Sequence, residues 1–477
     1  MVIPCEFPAS GWRRRRLYNN TVSSFYVENF GCRATQADGA AIERDLLNRG
    51  LTAAADATAA HVVILNTCTV TASADQDVRS AIRRIHRTNP GCRILVTGCY
   101  AQRAPQEIAG IPGVSAVIGN SHKQQVAGIA ARAADFVPAG QLAPATASPP
   151  EIYVGDIFAN TQLEGATVLE AGGRTRPNLK VQDGCNNRCS FCIIPFVRGR
   201  SRSLPLEEAV GEVQALVAAG YREVVISGIN LGRWGRDLAA ADGASARAPR
   251  FELLVRTILE RTTLEKLRLS SVEPMDWSAE LIELVASSPR IAKHAHVPLQ
   301  SGSDRILRLM HRRYRPWHYA DRIERIHAAM PQAAIGADVM VGFPGETDED
   351  FDETRALIKR LPFTYLHVFT YSSRPGTPSA AMPAQVPAVV MKERNRVLRE
   401  MAARKRRQFM RSFVGEAIEA ITLNVQEAGR TEALTDNYLK LRLEGLHPAN
   451  RWITARVEGL TGDALAGTLR KAPAALS

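Results

Sequence analysis

Between residues 176 and 380 the chain repeats one unit six times: a short apolar strand, a cluster of polar or glycine residues, then an amphipathic helix. The strands are "LKVQDGC", "REVVISG", "KLRLSSV", "AHVPLQ", "GADVMVGFP" and "YLHVFTYS". Strands that alternate with helices pair in parallel, because each crossover returns the chain to the same end of the sheet. The helix "LEEAVGEVQALVAAG" carries Leu206, Val210, Val213 and Val217 on one face, and Gly220 is placed to end it. Six such units predict a barrel or partial barrel rather than an open sheet. Each strand closes on residues that can do chemistry. Three cysteines follow the first, Ser227-Gly228-Ile229-Asn230 the second, and Ser271 with Glu273 the third. Gln300 to Ser303 follow the fourth, Gly342 to Thr347 the fifth, and Tyr371-Ser372 the sixth. The carboxyl ends of the strands are the working face of a parallel βα barrel, so six such ends point to one site.

The same α/β alternation precedes this region. Residues 22–135 run through "HVVILNTC", a helical "DQDVRSAIRRIHRTNP" and "RILVTGCY", which predicts a separate α/β domain with a parallel sheet. Cys68 and Cys99 both fall just past a strand, at the sheet edge where ligands bind. Residues 136–175 begin with the Pro-, Ala- and Ser-rich "FVPAGQLAPATASPP" and read as a linker. The barrel domain is expected over 176–405. Residues 406–472 switch to short strands and turns and predict a small β-barrel. Residues 1–21, with Arg13 to Arg16, read as a disordered basic extension rather than a transit peptide.

The cysteine spacing after the first barrel strand is Cys185-x3-Cys189-x2-Cys192, with Phe191 before the last. Three thiolates this close can ligate zinc, form a disulfide, or hold an iron–sulfur cluster one ligand short. Structural zinc usually takes four Cys or His ligands, but no second CxxC pair is present, and the next histidine downstream is His294. A disulfide suits small secreted chains better than a chain of this size, and it would strand one thiol. A [4Fe–4S] cluster takes four ligands, so three cysteines leave one iron open to a cofactor or substrate.

These residues resemble the radical S-adenosylmethionine (SAM) enzymes, whose signature is Cys-x3-Cys-x-aromatic-Cys. The resemblance implies that Cys185, Cys189 and Cys192 hold a [4Fe–4S] cluster whose open iron binds SAM, with Phe191 near the adenine. It covers nearly the whole chain. "NFGCRATQ", "NTCTVT" and "VTGCYAQ" resemble the amino-terminal domain of methylthiotransferases, which implies a second [4Fe–4S] cluster on Cys32, Cys68 and Cys99. "CNNRCSFCIIPFVRGRSRS", "HVPLQSGSDRILRLMHRRY" and "DVMVGFPGET" resemble the central domain, and the last segment resembles the RNA-binding TRAM domain. "NTCTVT", "GCYAQ" and "TDNYLKLR" look most like the branch acting on threonylcarbamoyladenosine in tRNA. The related alternatives are isopentenyladenosine in tRNA and a ribosomal protein. One departure is "RATQADG" after Cys32, where relatives carry an asparagine and an acidic residue.

The resemblance also implies that Ser227, Gly228 and Asn230 meet the amino group of SAM; the plainer reading is a tight turn needing small residues. Glu273 and Gln300 are candidates for the SAM ribose or the substrate base, or they simply satisfy hydrogen bonds at the barrel mouth. His294 and His296 read as structural, and Cys5 and Cys92 as ordinary thiols. Arg198, Arg200 and Arg202 read as a solvated basic face or as phosphate contacts. Net charge of +12 points to a polyanion, and the implied partner is a tRNA anticodon stem–loop. The implied chemistry adds a methylthio group to carbon 2 of adenosine 37, driven by an external flavodoxin- or ferredoxin-type electron donor. No apolar run approaches the ~20 residues of a membrane helix, so the expected location is cytoplasmic.

Overall fold

A computed structural model describes residues 23–135, 149–163, 165, 175–238, 248–427 and 429–470. The extension expected over 1–21, with Cys5, lies outside the described residues, as does much of the expected linker. The N-terminal domain is a parallel six-stranded sheet of β1 (Ser24–Asn29), β2 (Thr52–Ala53), β3 (Val62–Thr67), β4 (Arg93–Gly98), β5 (Val114–Gly119) and β6 (Glu151–Tyr153). Its order is β2-β1-β3-β4-β5-β6. Every residue of β3 is buried, because helices cover both faces of the sheet. Helix α1 (Arg33–Asn48) follows β1, and α2 (Ala72–Thr88) follows β3 with its first turn capped by the Thr71 hydroxyl. α3 (Cys99–Arg103) starts directly at the end of β4. Each of the three N-terminal candidate cysteines therefore sits at a strand-to-helix corner on one edge. The strand Glu151–Tyr153 pairs in parallel with β5, so part of the expected linker belongs to this sheet.

All six predicted barrel strands form, β7 (Asn178–Asp183), β9 (Glu223–Gly228), β10 (Lys266–Leu269), β11 (His294–His296), β12 (Ala334–Val341) and β13 (Tyr365–Thr370), and a short β8 (Arg202–Ser203), not predicted, pairs antiparallel with β7. They run β7-β9-β10, then through single parallel bridges Leu267–Ile291 and Ser271–His296 to β11-β12-β13. β7 and β13 do not pair, so the barrel is open on one side. A single core joins the strands to the surrounding helices, from Leu179 through Trp234 and Ile335 to Leu398.

The N-terminal domain grips both edges of that opening. Asp38 on α1 pairs with Lys180 on β7 and with Arg198, 3.0 Å away. Asp75 on α2 pairs with Arg374 beyond β13 at 2.7 Å, and the Ala72 N–H donates to the Ser372 hydroxyl at 3.0 Å.

The C-terminal strands β14 (Ala417–Glu427), β15 (Arg430–Thr435), β16 (Lys440–Glu444), β17 (Trp452–Thr461) and β18 (Ala464–Leu469) close into a barrel. The expected boundary between residues 405 and 406 falls inside one helix, Ala388–Arg411. Leu398 of this helix packs in the large barrel's core and Met410 in the small barrel's, so the helix ties the two together. No helix among the described residues is long and apolar enough to cross a membrane.

Candidate active site

The loop after β7 turns back on itself at Gly184, whose φ is +70° and where a Cβ would lie 2.0 Å from the Arg200 carbonyl. Only glycine fits there, and the turn brings Cys185 under Gly199, to whose carbonyl its N–H donates at 3.1 Å. Ser190 then anchors the middle of the loop, its hydroxyl donating to the Leu309 carbonyl at 2.7 Å and its N–H to Met310. Donors face the sulfurs. The Asn187 N–H is 3.4 Å and Asn230 Nδ2 3.7 Å from Cys185, and Arg312 Nη1 is 3.4 Å from Cys189. Burial pushes the Cys192 thiol up to about 12, and the neighbouring Cys189 adds to the shift. Cys185 is raised by burial as well. Thiolates at these positions need a positive centre to form.

Cys185, Cys189, Phe191, Cys192, Ser227, Gly228, Asn230, Glu273 and Gln300 all line one cavity of about 530 Å³. Predicted residues from the first four strand ends thus share one place, whereas Gly342 to Thr347 and Tyr371-Ser372, expected at the same site, do not line it. Gln182 joins the first two strand ends, donating to the Asp183 and Gly184 carbonyls while its Oε1 accepts from the Asn230 N–H at 2.7 Å. Gly228 packs on this glutamine, where a Cβ would lie 2.9 Å from it. Asn230 Oδ1 is buried without a protein partner. Phe191 packs edge-on against Phe343 from the fifth strand end, 6.5 Å between centroids. Glu273 is clamped by Arg312.

Cys32 lines the same cavity from the N-terminal domain, while Cys68 and Cys99 lie buried. Gly31 permits this approach: its φ is +105°, and a Cβ would lie 2.4 Å from Cys68 Cβ and 2.9 Å from its sulfur. Burial pushes the Cys68 thiol up to about 12, with Cys99 and Cys32 adding to the shift. Asn120 Nδ2 lies 3.5 Å from Cys99 and 2.7 Å from the Val197 carbonyl, coupling the two cysteine-bearing loops.

The described cysteines are all free, which removes the disulfide reading. A single zinc with Zn–S of about 2.3 Å brings its sulfurs to roughly 4 Å apart. Among the described residues the one group with three ligand atoms all within 4.8 Å of one another is His296, Asp338 and His367. Neither cysteine triplet is that compact.

Several cavity residues escaped the sequence reading. Arg33, Arg312, Asp338, Tyr365, His367 and Tyr438 line it, and His296, expected to be structural, does too. Burial would raise the Asp338 carboxyl, but hydrogen bonds from His296 and His367 hold it below the usual range. His294 also lines the cavity, but burial and the neighbouring Arg268 push its pKa well below the usual range, so it is neutral.

Arg198 and Arg202 correct both readings of the basic run, the solvated face and the phosphate contacts. Arg198 is 1% exposed and Arg202 is buried, because Asp183 and Asp38 draw their guanidinium groups inward. Arg200 alone of the three stays exposed.

Residues 179–358 match the family model of the radical SAM superfamily, and residues 24–119 that of the uncharacterized protein family UPF0004. The chain is 36% identical over 419 residues to the threonylcarbamoyladenosine tRNA methylthiotransferase MtaB of Aquifex aeolicus, covering 88% of this chain and 96% of that one. It belongs to the radical SAM methylthiotransferase family. To MtaB of Bacillus subtilis this methylthiotransferase is 38% identical over 390 residues, covering 81% and 82% of the two chains. To the tRNA-2-methylthio-N(6)-dimethylallyladenosine synthase of Thermobifida fusca it is 33% identical over 411 residues, covering 83% and 77%. Its fold is shared with the radical SAM methyltransferase TsrM of Kitasatospora setae, at TM-score 0.54 and 16% identity over 75% and 77% of the chains. Membership implies that this methylthiotransferase uses SAM and a [4Fe–4S] cluster.

Proposed function

We propose that the enzyme methylthiolates carbon 2 of N6-threonylcarbamoyladenosine at position 37 of tRNA, using two [4Fe–4S] clusters. Cys185, Cys189 and Cys192 hold the first, and Cys32, Cys68 and Cys99 the second. The observation that carries this reading is the shared cavity: the Cys185–Cys192 loop and Cys32, from different domains, face one space. Relatives at 36% and 38% identity bear that substrate in their names.

When bound, these groups supply a carbon radical able to activate a C–H bond that no side-chain acid or base reaches, together with the sulfur and methyl to be transferred. The chain's own residues bind and orient. Asn230 Oδ1, buried and unpartnered, accepts from the SAM amino group, while Gln182 locks the Asn230 backbone. Ser227 and Gly228 leave room beside it, and Phe191, held by Phe343, flanks the adenine. Glu273, paired with Arg312, and Gln300 offer polar atoms to the ribose or to the base. The anticodon loop presents unstacked bases to such a cavity. Exposed arginines of helix Ala388–Arg411, among them Arg404 and Arg407, provide phosphate contacts beside the C-terminal barrel. An external one-electron donor of flavodoxin or ferredoxin type completes the scheme.

Mass spectrometry of tRNA nucleosides from cells with and without the gene tests the reading. Loss of 2-methylthio-threonylcarbamoyladenosine with accumulation of its precursor is the expected result. Loss of the isopentenyl analogue instead would overturn the substrate, and no change in either would overturn the tRNA.

A further inference from the structure

The N-terminal and C-terminal domains each send a side chain into the barrel cavity, and the two meet there. Arg33, directly after Cys32, donates from Nη2 to the Tyr438 hydroxyl at 2.9 Å. Both line the cavity. Tyr438 reaches it with φ of +66°, a backbone conformation that bulky side chains rarely adopt. Arg268 holds the loop there, donating to the Thr435 and Asp436 carbonyls at 3.3 and 3.0 Å with its guanidinium 5.4 Å from the Tyr438 ring centroid. Strain of this kind survives where surrounding contacts over-determine it, and it gathers at functional positions.

The cavity's charges leave Arg33 over. Glu273 pairs with Arg312, and Asp338 with His296 and His367. Among the described residues Arg33 pairs with no carboxylate, and its guanidinium partner is the Tyr438 hydroxyl. A partly buried guanidinium beside a phenol is a donor pair suited to a carboxylate.

We propose that Arg33 and Tyr438 form the subsite for the carboxylate of the threonyl substituent on the substrate base. The assignment rests on the substrate reading above. It makes the C-terminal barrel a reader of the modified base as well as a holder of RNA. A hydrocarbon substituent at the same place would desolvate Arg33 and give it no partner, so the pair also rejects the isopentenyl base.

The test uses anticodon stem–loops carrying threonylcarbamoyladenosine, its methyl ester, or isopentenyladenosine. Each is assayed for kcat/KM with the reconstituted wild type, Arg33→Gln and Tyr438→Phe. The wild type should prefer the free carboxylate over the ester by roughly 10- to 100-fold, the range of a charge-assisted hydrogen bond. Arg33→Gln should bring the two within roughly 2-fold of each other. Tyr438→Phe should reduce the preference in part. Because Arg33 adjoins Cys32, iron content is measured alongside; if iron is lost from Arg33→Gln, the Tyr438→Phe ratio decides. An undiminished preference for the carboxylate in Tyr438→Phe and in an iron-replete Arg33→Gln would overturn the subsite. A wild type that modifies the isopentenyl loop and not the threonylcarbamoyl loop would overturn the substrate reading itself.

Discussion

Replacing Asp38 with asparagine should loosen the N-terminal domain from the barrel. The carboxylate is 2% exposed and accepts from Lys123 at 2.5 Å, from Lys180, and from Arg198 at 3.0 Å. Asparagine keeps the shape and removes the charge, leaving Asp183 to face these cations and Arg202. Breaking a buried pair by removing one partner costs about 3–5 kcal/mol. Two observations favour the lower end. The Lys123 and Lys180 side chains are 19% and 12% exposed, and the group borders a cavity of about 290 Å³ that can admit water. At about 2–4 °C per kcal/mol for a domain of ~150–250 residues, a cost of about 3 kcal/mol lowers the melting temperature by about 6–12 °C. Scanning calorimetry at neutral pH measures it, with Glu393→Gln on an exposed helix face as the silent control.

The pH dependence has a definite sign. Burial would raise the Asp38 carboxyl, but Lys123, Lys180 and Arg198 overcome it and hold it below the usual range. A depressed carboxyl contributes stability that is complete above its unfolded pKa of ~3.9 and is lost as pH falls towards the folded value. The gap between wild type and variant should therefore be constant above about pH 5 and close only under strong acid. A shift under ~2 °C at neutral pH, or a gap that closes already near pH 6, would refute the reasoning.

Gly31→Ala should abolish iron binding by Cys32, Cys68 and Cys99 while sparing that by Cys185, Cys189 and Cys192, because its Cβ would stand 2.4 Å from Cys68 Cβ. Iron analysis with Mössbauer spectroscopy reads this, and a full complement of iron would count against it. Asn230→Ala should raise the KM for SAM by roughly 10-fold in a 5′-deoxyadenosine assay, the loss of one hydrogen bond to a charged group. An unchanged KM would remove Asn230 from the SAM site. Arg404→Ala with Arg407→Ala should weaken tRNA binding regardless of loop sequence and flatten the log–log salt slope by roughly 1–2. An unaltered slope would place the phosphate contacts elsewhere.

The six barrel strands were legible because each is an apolar run ended by glycine or polar residues, a pattern set by local backbone and burial demands. The cysteine triplet was legible because its members lie within one loop. Arg198 shows where that kind of reading stops. Beside Arg200 and Arg202 it looks like a solvated basic run, and nothing local reveals Asp38, 160 positions earlier, that buries it. β6 was hidden for the same reason: three residues after a proline-rich stretch carry too little pattern to show that β5 needs an edge partner.

Sequence alone determined the barrel, the order of the domains and the Cys185–Cys192 triplet, since periodicity and short spacing are properties of neighbouring residues. Cys32, Cys68 and Cys99, more than 30 positions apart, were grouped only by the resemblance to methylthiotransferases. Only the tertiary structure decided that Cys32 faces the same cavity as Cys185, that Arg33 meets Tyr438 across 405 positions, and that Asp338 is held between two histidines. These arrangements come from domains closing over an open barrel. Which charges then meet depends on where distant strands end in space, and burial fixes their partners because an unpaired charge there costs too much.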